Sequence, residues 1–335
     1  MPAQAHPVSV EYVLPLRWDG DEDLAELTGY LHRLCRVLDV TVVDGSADDR
    51  FAVHAAAWQP DIRHIRPAPW PGRNRKVAGV VTGVVTARHE LVVVADDDVR
   101  YTETQLLQVV APLVDRVADV VRPQNVFSPL PWHARWDTAR AVLNRAFAAD
   151  YPGTFAFRRS VFLRMGGYDG DVLFENLQML RTFRAAGAME YRAGDVYVLR
   201  RPPTTAKFLV QRVRQAYDDF AQPGRLVVEA AWLPTICWAA LRRPALLPLF
   251  AGVAVAVAEK GRRRHNGATV FAATSALWAP AWVLERAVCV WLAIGSRARG
   301  GVRYRGTRLR NATTAVRERP SIDLSTSHQQ PARAS

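Results

Sequence analysis

The spacing of apolar and polar positions changes period repeatedly along the first 220 residues. Residues 8–16 are apolar enough for a strand. Across 21–38 the residues Leu24, Leu27, Leu31, Leu34 and Val37 recur every three or four positions, which predicts a helix with one buried face. Residues 40–43 predict a second strand, closed by Asp44-Gly45-Ser46. A short helix and loop over 47–60 and a strand over 61–65 follow. Pro67, Pro69, Pro71 and Gly72 then break the chain before a helix over 76–88. That helix leads to residues 91–95, Leu-Val-Val-Val-Ala. Five apolar residues without alternation predict a strand covered on both faces, as in the middle of a parallel sheet.

Beyond this strand the pattern predicts helices over 103–117, 132–149, 159–165, 174–186 and 206–220, and strands over 118–122, 153–157 and 191–199. Strands alternating with helices define an α/β protein with a mostly parallel sheet. No internal repeat is visible. Residues from about 311 onward are polar, rich in Ser, Thr, Gln and Pro, and predict a partly disordered tail.

Residues 225–295 differ in character. The stretches 226–241 and 245–258 are apolar but shorter than the roughly 20 residues of a spanning helix. The stretch 268–294 is long enough, yet carries Glu285-Arg286 in its midst. Tilted spans, a re-entrant pair, helices lying in the membrane interface and buried helices of a soluble domain all fit this pattern. Five of the ten tryptophans, Trp232, Trp238, Trp278, Trp282 and Trp291, accompany arginine clusters around these runs, as interfacial anchors do.

Charge sharpens the division. Residues 1–224 hold 27 Lys+Arg and 27 Asp+Glu; residues 225–335 hold 17 against 5, the whole of the net +12. Basic residues interleaved with apolar runs favour an anionic lipid surface over nucleic acid as partner. The expected organisation is a domain over 1–224, membrane-associated helices over 225–298 and a basic tail over 299–335. Cys35, Cys237 and Cys289 are too few and too scattered for a disulfide framework or a zinc site. The first residues show no basic segment followed by an apolar run, so no signal peptide is expected.

The candidate chemistry begins at Asp96-Asp97-Asp98, directly after the 91–95 strand. Open α/β sheets bind ligands at the carboxyl ends of their strands. Three adjacent carboxylates repel one another; water on an exposed turn offsets this, and a divalent cation shared with a phosphate offsets it better. Asp44 stands at the end of an earlier strand, where a carboxylate can accept hydrogen bonds from a base or ribose, or simply make an Asp-Gly turn. Lys76 stands at a helix start, where a cation and the helix dipole can both act on a diphosphate.

In this order the pieces resemble the family 2 glycosyltransferases. Further segments extend the resemblance: Gly153 to Ser160 with its Arg158-Arg159, Met165-Gly166-Gly167-Tyr168, Leu173 to Gln178, Gln211-Arg212-Val213-Arg214-Gln215, and Gly300 to Gly306. It spans roughly residues 8–310 and is similar to membrane-bound members such as ceramide glucosyltransferases and hopanoid-associated transferases. The resemblance implies a GT-A fold with a mixed sheet. It also implies a nucleotide-sugar donor, a Mg²⁺ or Mn²⁺ cofactor and a membrane lipid or polyprenyl-phosphate acceptor. It places the protein at the cell membrane, with the catalytic domain on the cytoplasmic side. By the same resemblance, Asp98 is the direct metal ligand with Asp96 beside it, and Asp97 points away. Asp44, Lys76, Asp96, Asp97, Gln211, Arg212 and Arg214 belong to the donor site. The family's base is the Asp of Glu-Asp, where this chain has Asn176; Glu175 is the favoured replacement and Asp171 the other candidate. Gln215 replaces the family's usual Trp, which argues against a processive polymer channel.

Three other classes compete. A nucleotide-sugar-binding protein without turnover is suggested by Asn176. An NAD-dependent oxidoreductase is disfavoured, because no Gly-x-Gly-x-x-Gly follows the first strand. A nucleotidyltransferase of related fold would not need the apolar, basic segment.

Overall fold

The computed structural model describes residues 9–324 apart from 21, 22, 149 and 305. In chain order its elements begin with β1 (Val10–Leu16), α1 (Leu24–Leu34), β2 (Asp39–Asp44), α2 (Asp48–Trp58), β3 (Arg63–Ile65), α3 (Arg75–Thr86) and β4 (Leu91–Ala95). They continue with β5 (Val99–Arg100), α4 (Glu103–Val114), β6 (Val120–Phe127), α5 (Trp132–Phe147), β7 (Thr154–Arg158), α6 (Arg159–Arg164), α7 (Glu175–Ala185) and β8 (Glu190–Arg200). The last are α8 (Thr205–Tyr217), α9 (Pro223–Arg242), α10 (Leu246–Arg263), α11 (Ala279–Ala298), β9 (Val302–Tyr304) and β10 (Thr307–Leu309).

Eight strands form one sheet in the order β3-β2-β1-β4-β7-β6-β8-β5. The half from β3 to β4 is parallel, as the alternating pattern predicts. The other half is mixed: β7 runs antiparallel to both β4 and β6, whereas β6 and β8 are parallel. The unbroken apolar run of β4 has a direct cause. Val93 and Ala95 enter the core beneath α1 and α4, and Val92 and Val94 enter the core beneath α3, α6 and α7. Successive side chains of a strand point to opposite faces, so a strand with a core on each side has no polar position to spare. Each fully buried valine contributes roughly 1.5–3 kcal/mol.

Helix starts are set locally. Asn74 caps α3, its side chain accepting from Lys76 N and donating to the Val172 carbonyl. Thr102 and Gln105 form a reciprocal capping box at α4.

The three apolar runs form α9, α10 and α11, the last preceded by two short 3-10 turns. α10 lies so close to α5 that a Cβ on Gly261 would fall 1.8 Å from the Val142 carbonyl oxygen. Ala273–Ala298 is, by length and composition, long and apolar enough to cross a membrane. The charges that interrupt it turn inward. Arg286 Nη1 donates to Asp219 at 2.7 Å, and Glu285 accepts from Trp136 Nε1 at 2.9 Å. Leu284, Val288, Trp291 and Leu292 face outward, as do Val227, Val228 and Leu241 of α9 and Leu249 and Val253 of α10.

The polar stretch from 311 does not follow the expectation of disorder as far as 324. Leu173 N and Phe174 N donate to the carbonyls of Asn311 and Ala312, Thr314 Oγ1 donates to Asp169, and Ile322 N donates to the Leu163 carbonyl. Most of these bonds use backbone groups, which leave no mark in side-chain composition. Residues 325–335 lie outside the described residues.

Candidate active site

A large cleft opens at the carboxyl ends of β1, β2 and β4, bounded by α3, the start of α7, the residues after β8, and α8. Asp96, Asp97 and Asp98 sit on its floor. Asp96 N donates to the Gly153 carbonyl at 2.8 Å, continuing the β4–β7 pairing past the end of β4. A Cβ at Gly153 would lie 2.6 Å from Asp96 Oδ2, so the small residue is what lets Asp96 stand there.

The three carboxylates have different partners. Asp96 Oδ1 lies 2.5 Å from Lys76 Nζ, and its Oδ2 lies 3.5 Å from Arg200 Nη2. Asp97 turns aside to accept from Trp18 Nε1 at 2.5 Å. Asp98 Oδ2 accepts from Arg200 Nε at 2.7 Å, while its Oδ1 is buried and has no hydrogen-bond partner. Burial pushes the Asp98 carboxyl up, countered by Arg200 and reinforced by the charges of Asp96 and Asp97. The buried, partnerless Asp98 oxygen and the Asp96 carboxylate beside it are hard oxygen donors of the kind a divalent cation takes, so these two residues fit Mg²⁺ or Mn²⁺.

Lys76 bridges this floor to α7. Its Nζ lies 2.5 Å from Glu175 Oε1 as well as from Asp96. Burial alone would lower its pKa, but Asp96 and Glu175 hold it well above the usual lysine value, so it stays charged. Glu175 is buried, and its Oε2 accepts from Tyr168 OH at 3.4 Å. Burial pushes the Glu175 carboxyl up, against the pull of Lys76. With its amide nitrogen turned toward Glu175, Asn176 donates to both carboxylate oxygens at 3.0 and 3.1 Å.

Three expected residues lie elsewhere. Asp44 is fully buried and turned away from the cleft: its Oδ1 accepts from Ser46 N, and its Oδ2 lies 2.6 Å from His54 Nδ1 and 3.0 Å from His64 Nε2. Burial pushes its carboxyl up, but hydrogen bonds from His64, Ser46 and His54 outweigh this and hold it well below the usual carboxylate range. Asp44 therefore shapes the loop whose Val43 and Gly45 line the cleft, and is not placed to meet a base or ribose. Asp44, His54 and His64 bring three metal-ligand atoms within 4.8 Å of one another, as do Glu11, Asp39 and His89; in the first group both histidine nitrogens already meet the same carboxylate oxygen.

Arg212 is also turned away. Its guanidinium is buried against Asp137 at 2.8 and 3.2 Å and stacks over Phe208. Replacing Arg212 with alanine leaves the Asp137 charge buried and uncompensated. The expected cost is about 3–5 kcal/mol of stability, read as a lowered midpoint of thermal unfolding; a variant as stable as wild type with a raised donor KM would put Arg212 back in the donor site. Asp171 is held by Arg73 at 2.9 and 3.2 Å and does not line the cleft, which removes it as a base. Gln211 and Arg214 do line the cleft, Arg214 lying over the Tyr304 ring.

Arg200 and Trp18 enter the site unannounced, and Tyr168 of the Met165-Gly166-Gly167-Tyr168 segment enters as a partner of Glu175. Trp18 is 79 residues from its partner Asp97, and Arg200 is 102 residues from Asp98. The one local signal for Arg200 is that an arginine pair, Arg200-Arg201, closes a strand.

Residues 58–212 match the family described as Glycosyl transferase family 21. No curated protein sequence matches the chain. Among solved structures, a mannosyltransferase from Pyrobaculum calidifontis, in complex with GDP-Man and Mn²⁺, superposes with a TM-score of 0.53 at 20% identity, covering 86% of this chain and 88% of that one. Glucosyl-3-phosphoglycerate synthase from Mycobacterium tuberculosis, with Mn²⁺, UDP and glucosyl-3-phosphoglycerate, superposes at 0.41 with 17% identity, covering 60% and 75%. Mannosyl-3-phosphoglycerate synthase from Rubrobacter xylanophilus superposes at 0.41 with 16% identity, covering 65% and 75%. The fold is that of the GT-A nucleotide-sugar transferases, and the chain is a glycosyltransferase.

Proposed function

We propose that this glycosyltransferase moves a sugar from a nucleotide-sugar to a lipid or polyprenyl-phosphate acceptor at the cell membrane, with inversion at the anomeric carbon and the catalytic domain on the cytoplasmic side. The observation that carries the donor half is the floor of the cleft: a partnerless Asp98 oxygen among three carboxylates, flanked by Lys76 and Arg200. Mg²⁺ or Mn²⁺ held by Asp98 and Asp96 would supply Lewis-acid stabilisation of the charge that grows on the leaving diphosphate. Lys76, Arg200 and Arg214 add fixed positive charge to the same cleft. In the transfer step an acceptor oxygen, a lipid hydroxyl or the phosphate oxygen of a polyprenyl phosphate, bonds to the anomeric carbon. The bond from that carbon to the phosphate oxygen breaks, and its electron pair leaves on the nucleoside diphosphate. Where the acceptor is a hydroxyl, its proton passes to Glu175, the carboxylate that this site keeps at the start of α7.

The membrane half rests on α9, α10 and α11. Large apolar side chains of all three helices face outward, with Arg242, Lys260 and Arg263 exposed only at the ends of α9 and α10, whereas Glu285 and Arg286 of α11 face the protein. A helix with one face bonded to a folded domain and the other apolar lies in a membrane interface more readily than it spans one. Asn176 supports a second reading, a nucleotide-sugar-binding protein without turnover. Detergent-solubilised full-length protein, given Mn²⁺, a panel of nucleotide-sugars and membrane lipid extract, is expected to release nucleoside diphosphate and to label lipid. Donor binding without release from any donor would establish the second reading instead.

A further inference from the structure

Glu175 starts α7, but the residues before it, 166–174, form no helix or strand. A backbone without a ladder of its own takes its hydrogen bonds from neighbouring segments. Two segments supply them here. On one side lie residues 70–74. Trp70 Nε1 donates to the Tyr168 carbonyl at 3.0 Å, Asn74 N to the Gly170 carbonyl at 2.8 Å and Asn74 Nδ2 to the Val172 carbonyl at 3.0 Å. On the other side lie residues 308–322. Through the carbonyls of Asn311 and Ala312 they accept from Leu173 N at 2.9 Å and from Phe174 N at 2.8 Å.

Side chains fasten this second segment further. Thr314 Oγ1 donates to Asp169 at 2.7 Å, Thr314 N donates to Gln178 Oε1 at 3.0 Å, and Arg181 Nη1 donates to Thr313 Oγ1 at 2.7 Å. Ala312 is buried with Leu173 and Leu177, and a Cβ on Gly166 would fall 2.4 Å from the Pro320 carbonyl oxygen. Arg73 joins all three segments. Its Nη1 donates to the Arg308 carbonyl at 2.9 Å, and its Nε and Nη2 donate to Asp171 at 2.9 and 3.2 Å. The first segment ends at the start of α3, which carries Lys76, and the middle one ends at Glu175. The clamp thus sets both ends of the 2.5 Å contact between Lys76 Nζ and Glu175 Oε1. Asp169, Asp171 and Thr314 do not line the cleft, so their part in the site is indirect.

We infer that residues 308–322 are a positioning segment for the transfer step: by clamping 166–174 against 70–74 they fix the Glu175 carboxylate relative to Lys76 and the cleft floor. This rests on the role proposed for Glu175 and adds to it the part of the chain that holds that residue in register. Displacing a reacting group by about 1 Å costs up to about a hundredfold in rate. The donor's proposed contacts are with Asp96, Asp98 and Arg200, which the strap does not touch, so donor binding should not follow the strap.

The test uses the full-length protein with the nucleotide-sugar that gives release. Thr314→Val removes the hydroxyl that holds Asp169 and should lower kcat about tenfold, the worth of one hydrogen bond to a charged group, with donor KM unchanged. Thr314→Ser keeps the hydroxyl and should restore the wild-type kcat. Thr314→Val combined with Asp171→Ala, which also releases Arg73, should approach the loss of about a hundredfold expected of a misplaced base. Hydrogen exchange reads the same event without turnover: the Leu173 and Phe174 amides should exchange at least about tenfold faster in Thr314→Val. Lowered thermal stability with kcat unchanged would overturn the inference. So would unchanged exchange at both amides, an equal loss in Thr314→Ser, or a donor KM that rises as kcat falls. If the double variant does not fold, Thr314→Val and Thr314→Ser decide the matter alone. A wild-type protein that releases no nucleoside diphosphate from any donor would instead overturn the transfer reading on which the inference rests.

Discussion

Asp98→Asn should lower sugar transfer by on the order of a thousandfold, the loss that follows removal of one fixed electrostatic contact to a developing charge. The variant keeps the volume of the side chain and an oxygen for Arg200 Nε, so the fold should hold. What it loses is the charge on the partnerless Oδ1. The companion Asp97→Asn tests whether position or charge alone matters. Asp97 is turned to Trp18, so its loss should cost less than about tenfold, the scale of a single hydrogen bond. Turnover measured across a Mn²⁺ titration separates the two: Asp98→Asn should stay impaired at saturating metal. If Asp98→Asn and Asp97→Asn lose similar amounts of activity, the assignment of Asp98 as the metal-facing carboxylate fails.

The second large effect concerns Glu175. Glu175→Gln should reduce kcat by about 10²–10⁴-fold, the range for loss of a general base. The position suits proton transfer, because the carboxylate is buried, its basicity is raised by burial, and Lys76 and Tyr168 fix it in place. Its pKa shift has a consequence for the wild-type enzyme. A carboxyl held above its ordinary value is protonated sooner as pH falls, so the acid limb of the rate profile should lie above the usual glutamate range. Asn176 takes a supporting part here, as donor to both Glu175 oxygens. Asn176→Asp would set a second negative charge against Glu175 and should lower the rate. A rate gain in Asn176→Asp together with near-full activity in Glu175→Gln would remove Glu175 as base.

Much of the sheet was legible because its signal is local. The unbroken apolar run of β4 announces a strand between two cores, and the carboxylates after it fall on the floor of the cleft. Strand partners were less legible. The insertion of β7 between β4 and β6 depends on residues 35 to 67 positions apart, which no periodicity encodes. The same limit governs side chains. Asp44 ends its strand as expected, but His54 from α2 and His64 from β3 draw its carboxylate inward. Arg212 lies in a segment that resembles a donor-site motif, yet α5 supplies Asp137 to bury it. Arg200 is the converse case, with a partner 102 residues away. The charges of α11 interrupt an apolar run in one dimension and make a protein-facing seam in three.

The strap formed by residues 311 and 312 bears on when the enzyme becomes competent. Leu173 N and Phe174 N, immediately before Glu175, are tied to carbonyls of a segment translated more than a hundred residues later. During synthesis the start of α7 therefore lacks its strap until α9, α10 and α11 have already left the ribosome. The final setting of Glu175 therefore follows emergence of α9, α10 and α11; under the proposed function, those helices would meet the lipid surface before the proposed base is fully fixed.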